Sequence, residues 1–294
     1  MFQHPWSVAI LFPDDKVHCS GSILSEKYVL TAAHCFVDEG VHWDPKSMTI
    51  VAGSDDPAQP ANSIPVKKRK FVQWEKIDSV TIHPLYTNPA ARYDLALVKI
   101  TGQFTFRNTR WPICIPEKTE SRDHSRKGHI MLGFGRNKNK DNSGSVLTQL
   151  DLDVQPTSYC SKRYGEILSD DNHRFHTKTK NTLPEKFNED SLLCASKLGR
   201  DSGSCPGDSG GILMRQEFML DSEGKYRVRA IQTAVVHGSA QDCKGDRYPS
   251  IFNRIDGDAL SWINSIAFPT TRTIKTTPTP TTTPQPKGMF KHIT

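Results

Sequence analysis

Short apolar stretches separated by turn-forming residues dominate the first third of this 294-residue chain. Between residues 7 and 33 apolar positions either alternate with polar ones or run together briefly, as they do in half-buried β-strands. Stretches of the same kind, with Pro, Gly and Asp between them, recur from 47 to 100. The pattern predicts an antiparallel β-barrel in this part of the chain.

The apolar pattern changes near the carboxyl end. From Asp256 the apolar residues follow helical spacing, which predicts a helix at about 256–268. Beyond Phe268 threonine and proline dominate, a composition that cannot build a core, so we expect residues 269–294 to be a disordered extension of a kind that is often O-glycosylated. No apolar run approaches the ~18 residues that span a bilayer, so no membrane span is predicted.

Charge says little about partners. The net charge is +6, but the basic residues Arg272, Lys275, Lys287 and Lys291 of the extension account for four of those charges. The remaining +2 does not indicate a nucleic-acid partner, and none is predicted. The basic run at 67–70 could be an exosite for an acidic partner or a solvated loop, and it is too short to indicate nucleic-acid binding.

Three short motifs carry candidate chemistry. In Gly207-Asp208-Ser209-Gly210-Gly211 the glycines let the backbone close around a serine, and the N–H groups of Gly207 and Ser209 could form an oxyanion hole. Such a run can also be an ordinary turn. A base and an acid elsewhere favour the chemical interpretation: His34 lies in the stretch at 30–35, and Asp94 lies in the stretch at 93–100.

His34, Asp94 and Ser209, in this order and each within its motif, resemble the trypsin/chymotrypsin-like serine proteases over residues 4 to 268. The resemblance implies an all-β fold of two packed antiparallel six-stranded barrels with a C-terminal α-helix. One protease domain would then occupy 1–268, with barrels at about 1–110 and 111–255. It also implies a serine endopeptidase that hydrolyses proteins or peptides, with Ser209 as nucleophile, His34 as base and Asp94 as its orienting acid. No cofactor or metal is expected.

The cysteines fit the same resemblance, which implies three disulfides. The pairs would be Cys19 with Cys35, Cys160 with Cys194, and Cys205 with Cys243. Three disulfides indicate an oxidising compartment, so we expect a secreted or extracellular protein. Cys114 is left over; it matches the position that ties some family members to their cleaved propiece, and the alternative is a buried free thiol.

Several positions depart from the family pattern. The activation sequence expected some ten or more residues before His4 is absent, as is an apolar signal segment, which predicts a fragment of a longer secreted protein. In family members the amino terminus released by activation pairs with the acid that matches Asp208. Val236-His237-Gly238 replaces Ser-Trp-Gly, so Asp94 loses a hydroxyl partner. A zymogen-like or inactive homologue with a regulatory, binding role is therefore the alternative.

The primary specificity pocket has two interpretations. An ungapped count from Ser209 puts Gly203 at the pocket floor, with Gly238 and Ser250 on the walls, which predicts a neutral pocket for a large apolar side chain. An insertion before Cys205 would instead put Asp201 at the floor and select Arg or Lys. The long segment between the cysteines at 160 and 194 is predicted to lie at the cleft rim, where it narrows specificity or forms a disordered surface loop.

Overall fold

The computed structural model describes most of the chain outside the carboxyl-terminal extension. The described ranges are 4–38, 40–59, 63–87, 92–118, 128–136, 146–169, 187–197, 199, 203–220, 222–239, 243 and 249–269. Asp201, the predicted extension from residue 270 onward, and most of the predicted insertion at 170–186 lie outside these ranges.

The first barrel is closed by six antiparallel strands in the order β1-β2-β3-β8-β7-β6. These strands are β1 (Ser7–Leu11), β2 (Val17–Ile23), β3 (Tyr28–Thr31), β6 (Thr49–Ala52), β7 (Gln73–Ile82) and β8 (Ala96–Ile100). Between β3 and β6, the short strands β4 (Val37–Asp38) and β5 (Val41–His42) form a separate two-stranded sheet. The barrel strands fall in the regions where the apolar pattern predicts them.

The second barrel is closed in the order β10-β11-β14-β13-β12-β9. Its strands are β9 (His129–Gly133), β10 (Thr148–Val154), β11 (Leu192–Ser196), β12 (Ile212–Leu220), β13 (Tyr226–Gly238) and β14 (Ser250–Arg254). The predicted fold of two six-stranded antiparallel barrels is therefore confirmed.

Helices occupy little of the described chain. Two 3₁₀ turns lie at Ala33–Cys35 and Pro45–Ser47, and the α-helices are α1 (Val66–Arg69), α2 (Thr157–Ser169) and α3 (Gly257–Ala267). Helix α3 is the predicted C-terminal helix. The basic run falls largely in the exposed single turn α1. Helix α2 was not predicted; it opens the segment that the sequence analysis treats as an insertion.

One apolar core joins the two barrels and α3. Val8 and Ile50 of the first barrel belong to the same buried cluster as Leu132 and Val235 of the second. Ile263 of α3, which is fully buried, belongs to it as well. The helix therefore closes a core to which both barrels contribute, and burial of this apolar surface stabilises their relative position.

Three disulfides join the cysteines that the resemblance pairs. They are Cys19–Cys35, Cys160–Cys194 and Cys205–Cys243. Cys114 is not in a disulfide and is exposed, so the alternative of a buried thiol is wrong. The Cys19–Cys35 bond lies beside His34 and ties its 3₁₀ turn to β2.

The hairpin of β12 and β13 extends beyond the second barrel. Strand β12 pairs with β9 only as far as Arg215, and its later residues pair with β13 alone. Phe218 faces Val228 and Leu220 faces Tyr226 across this outer part. All four side chains are more than half exposed, which gives the outer hairpin one apolar face.

Candidate active site

The first barrel brings His34 and Asp94 together. His34 lies in the 3₁₀ turn after β3, and Asp94 lies just before β8, the strand that pairs with β3. Nδ1 of His34 is 2.6 Å from Oδ2 of Asp94, and the backbone N–H of His34 donates to Oδ1 over 2.8 Å. Asn253 of the second barrel accepts a hydrogen bond from the backbone N–H of Asp94. The carboxylate is thus held between the barrels in a fixed orientation.

This pairing sets the protonation of both groups. Asp94 is fully buried, and although burial raises its pKa, the facing imidazoles of His34 and His237 hold the pKa well below its usual range. Burial also lowers the pKa of His34, but the Asp94 carboxylate outweighs that effect and leaves the pKa above its ordinary value of 6.5. Asp94 is therefore ionised, and His34 is a stronger base than a free histidine.

Ser209 lies in the loop before β12, and Ser20 of β2 holds that loop in place. The backbone N–H of Ser20 donates to the carbonyl oxygen of Ser209 over 2.7 Å, and its hydroxyl donates to the carbonyl oxygen of Gly207 over 2.7 Å. Gly207 and Gly210 have φ of 97° and 78°, values that favour glycine. Ser20 was not among the predicted site residues, because nothing local marks a strand serine as a partner of a distant loop.

The N–H groups of Gly207 and Ser209 point away from the loop's own acceptors. The carbonyl of Pro206 accepts from Arg136 and the carbonyl of Asp208 accepts from Gly211. In a trans peptide the N–H points opposite to the carbonyl. Across the described ranges neither N–H donates to a protein acceptor, so two donors in one loop are available to a ligand oxygen.

The carboxyl group of Asp208 is buried beneath this loop. Its oxygens accept hydrogen bonds from the backbone N–H groups of Cys205, at 2.8 Å, and Gly135, at 2.7 Å. A Cβ on Gly133 or Gly135 would lie 2.2 to 2.4 Å from the Asp208 carboxyl group, so both positions require glycine. No described cation pairs with Asp208, and burial raises its pKa to about 6.

The hydroxyl of Ser209 is directed at the second barrel. It donates to the carbonyl oxygen of His237 over 3.4 Å, and among the described residues it makes no hydrogen bond to His34. The imidazole of His237 occupies space beside His34, with the two ring centroids 5.3 Å apart and the rings edge to face. His34, Asp94, Ser209 and His237 therefore meet where the barrels join.

His237 is the residue that sequence reasoning underestimated. Its Nδ1 lies 2.6 Å from Oδ2 of Asp94, where the sequence analysis expected only the loss of a hydroxyl partner. The sequence did contain a clue, because His237 stands where most members of the resembled family carry tryptophan. The tripeptide alone does not show that the side chain points toward Asp94.

Three of the four predicted pocket residues lie together. The backbone of Ser204, next to Gly203, donates to the hydroxyl of Ser250 over 2.9 Å. The hydroxyl of Ser239, next to Gly238, donates to the carbonyl oxygen of Ser204 over 3.0 Å. The fourth predicted residue, Asp201, lies outside the described residues, so the two interpretations of the pocket stay open.

The cluster of His34, Asp94 and His237 is a hydrogen-bonded group. Each residue offers a possible metal ligand, and these atoms lie within 4.8 Å of one another. Both imidazole nitrogens are 2.6 Å from the same oxygen, whereas two ligands of one tetrahedral zinc ion are about 3.3 Å apart. The nearby cysteines Cys19 and Cys35 are bonded to each other and offer no thiolate.

Comparison with known proteins gives a consistent family match. The family model described as Trypsin matches residues 1–263. Similar proteins include Transmembrane protease serine 7 of Rattus norvegicus, 27% identical over 88% of this chain and 26% of the relative. A Venom serine protease of Polistes dominula is 24% identical over 75% of this chain and 69% of the relative. Clotting factor C of Tachypleus tridentatus is 28% identical over 89% of this chain.

The chain spans only 26% and 24% of the lengths of the first and last of these relatives. Among the helices that the structure describes, none has the length and apolar character needed to cross a bilayer.

Proposed function

This chain belongs to the trypsin family, and from that premise we propose that it is a secreted serine endopeptidase acting on proteins or peptides. Ser209 is the nucleophile, His34 the general base, and Asp94 the acid that orients His34. The observation that carries the proposal is the 2.6 Å contact of Nδ1 of His34 with the buried Asp94 carboxylate. This contact leaves Nε2 of His34 as the basic nitrogen.

The chemistry proceeds through an acyl-enzyme. The hydroxyl of Ser209 turns from the His237 carbonyl toward His34, gives its proton to Nε2, and its oxygen bonds to the carbonyl carbon of the substrate. The protonated His34 then gives that proton to the leaving amine as the peptide bond breaks. Water, deprotonated by His34, hydrolyses the ester and regenerates the Ser209 hydroxyl. Asp94 stays ionised throughout and stabilises the imidazolium form of His34.

The N–H groups of Gly207 and Ser209 form the oxyanion hole in this proposal. Among the described residues neither N–H donates to a protein acceptor, which supports this assignment. Loss of one such donor typically costs ~3 kcal/mol of transition-state stabilisation, so the order of this loop matters as much as the nucleophile. By resemblance, Asp208 is the acid that pairs with the amino terminus released on activation.

We propose Gly203, Gly238, Ser250 and Asp201 as the residues of the primary specificity pocket. The hydrogen bonds that join the first three segments support a shared pocket. Profiling of the residue before the cleaved bond distinguishes a neutral floor from an acidic one. Cleavage after large apolar residues supports Gly203 at the floor, and cleavage after Arg or Lys supports Asp201.

An extracellular location and a covalent partner complete the proposal. The three disulfides support an oxidising compartment. The exposed thiol of Cys114 is available for a disulfide to an upstream propiece. On a non-reducing gel the cleaved full-length protein would then run as one species that separates into two on reduction, and a Cys114→Ser variant would separate without reduction.

A fluorophosphonate probe tests the proposed enzyme directly. We expect the activated full-length protein to form a covalent adduct at Ser209 and to cleave peptides, with activity falling as the pH drops through a midpoint above 6.5, because His34 must be neutral. The variant Ser209→Ala should lose both adduct and cleavage, whereas Ser265→Ala, on the exposed side of α3, should keep both.

The absence of an adduct on the activated protein would overturn the enzyme and favour the inactive regulatory homologue. An adduct at another serine would overturn the assignment of Ser209 alone.

A further inference from the structure

Two histidines, one from each barrel, bond to the same carboxylate oxygen. Nδ1 of His34 and Nδ1 of His237 each lie 2.6 Å from Oδ2 of Asp94. His34 and Asp94 belong to the first barrel, whereas His237 lies near the end of β13 in the second. The second barrel thus supplies a side chain to the hydrogen-bonded pair of the first.

The ionised carboxylate fixes where the imidazole hydrogens lie. Neighbouring imidazoles keep the pKa of Asp94 well below its usual range despite burial, so its oxygens only accept hydrogen bonds. Each imidazole must therefore carry a hydrogen on Nδ1. The contact holds His237 in the same tautomer as His34 and gives Oδ2 a second donor.

His237 also contacts the other side of the site. Its backbone carbonyl accepts a hydrogen bond from the hydroxyl of Ser209 over 3.4 Å, while its side chain donates a hydrogen bond to Asp94. About a fifth of the His237 side chain is exposed, and Asp94 has no exposure, so solvent reaches the carboxylate only poorly. Without the imidazole, Oδ2 would keep a single described donor in a buried site, and a carboxylate with fewer donors is held less firmly.

We propose that His237 is a positioning residue of this site, which holds the Asp94 carboxylate in place through its Nδ1 hydrogen. This inference rests on the proposed function, because it assigns His237 a role in the reaction of Ser209, His34 and Asp94.

Two substitutions separate the hydrogen bond from the ring that makes it. His237→Asn places an amide N–H near the position of Nδ1, whereas His237→Phe keeps a ring but has no donor. Values of kcat and KM are measured at a single pH with one peptide substrate in the presence of EDTA, beside the rate of fluorophosphonate labelling. Thermal unfolding shows whether each variant is folded.

We expect His237→Phe to lower kcat by about 10- to 100-fold, the effect of losing one hydrogen bond to a charged group, with a smaller change in KM. His237→Asn should recover most of that loss. Equal kcat in all three proteins would overturn the inference.

A spectroscopic measurement does not depend on activity. With ¹⁵N-labelled histidine, NMR should show a hydrogen on Nδ1 of both His34 and His237. A hydrogen on Nε2 of His237 alone, with Nδ1 bare, would overturn the inference even in an active protein. Failure of the unsubstituted, activated protein to label at any pH would instead count against the proposed function.

Discussion

Asp94 and Asp208 both have buried carboxyl groups, and their neighbours shift their pKa values in opposite directions. Burial raises both values, but at Asp94 the imidazoles of His34 and His237 outweigh burial. Asp208 is surrounded by neutral backbone N–H donors, which reduce the effect of burial without reversing it, so its pKa rises to about 6. Asp94 is thus ready to stabilise a cation, whereas Asp208 takes up a proton more readily than an exposed aspartate.

The raised pKa of Asp208 predicts a pH-dependent stability. The folded chain keeps the Asp208 proton up to about pH 6, while the unfolded chain releases it near 3.8. This stabilisation is complete below 3.8 and is lost as the pH rises through about 6. The difference between the pKa values of 3.8 and about 6 corresponds to about 3 kcal/mol. The free energy of unfolding in urea, measured from pH 4 to 7, should show the loss.

The variant Asp208→Asn is the matched control, because its side chain does not titrate. As the pH rises from 4 to 7, the free energy of unfolding of this variant should increase by up to about 3 kcal/mol relative to that of the unsubstituted chain. If the two stability curves ran parallel over this range, the raised pKa would be wrong.

Helix α3 contributes to stability through one face. Ala259, Leu260, Ile263 and Ala267 are buried on that face, whereas Asn264 is exposed. The core that this face covers contains residues of both barrels. The helix is therefore held by packing, since 11 residues form only a marginal helix in isolation.

Substitutions on the two faces of α3 should have very different effects. Ile263→Ala removes a fully buried side chain and leaves a cavity, so the free energy of unfolding should fall by about 2–5 kcal/mol. Asn264→Ala, on the adjacent exposed position, should change it by no more than about 0.5 kcal/mol. Equal effects in urea titrations of both variants would contradict the packing of this helix.

Local patterns predicted much of the fold and part of the site. The motifs around His34, Asp94 and Ser209 are each continuous in sequence, and so are the strands and α3. The contact of His237 with Asp94 depends on how two barrels meet, because the residues are 143 positions apart. The hydrogen bonds of Ser20 to the Ser209 loop are similarly distant. Helix α2 was missed because charged and polar residues favoured the interpretation of an insertion.

At the scale of the whole molecule, the two barrels share a core. Leu132, Ile212 and Val235 of the second barrel belong to the same buried cluster as the core of the first. If one barrel unfolded, the apolar residues of the other barrel that pack against it would be exposed to water. The domain should therefore unfold as one cooperative unit rather than barrel by barrel.

The positions of the tryptophans make cooperative unfolding measurable. All five lie outside the strands of the second barrel, at 6, 43, 74, 111 and 262. Tryptophan fluorescence in urea thus follows the first barrel and α3, and pulse-labelled hydrogen exchange of peptides from β9–β14 follows the second. With disulfides intact, both should give one midpoint. An earlier midpoint for the second barrel would show that the barrels unfold independently.

The outer hairpin of β12 and β13 has a consequence for the continuity of the chain. Each strand is anchored separately in the second barrel, β12 by β9 and β13 by β14. A break in the backbone between Leu220 and Tyr226 would leave both new ends attached to the sheet. The inner ends of these strands, next to Ser209 and at His237, would keep their places. A molecule nicked at this hairpin can thus remain assembled around an intact site.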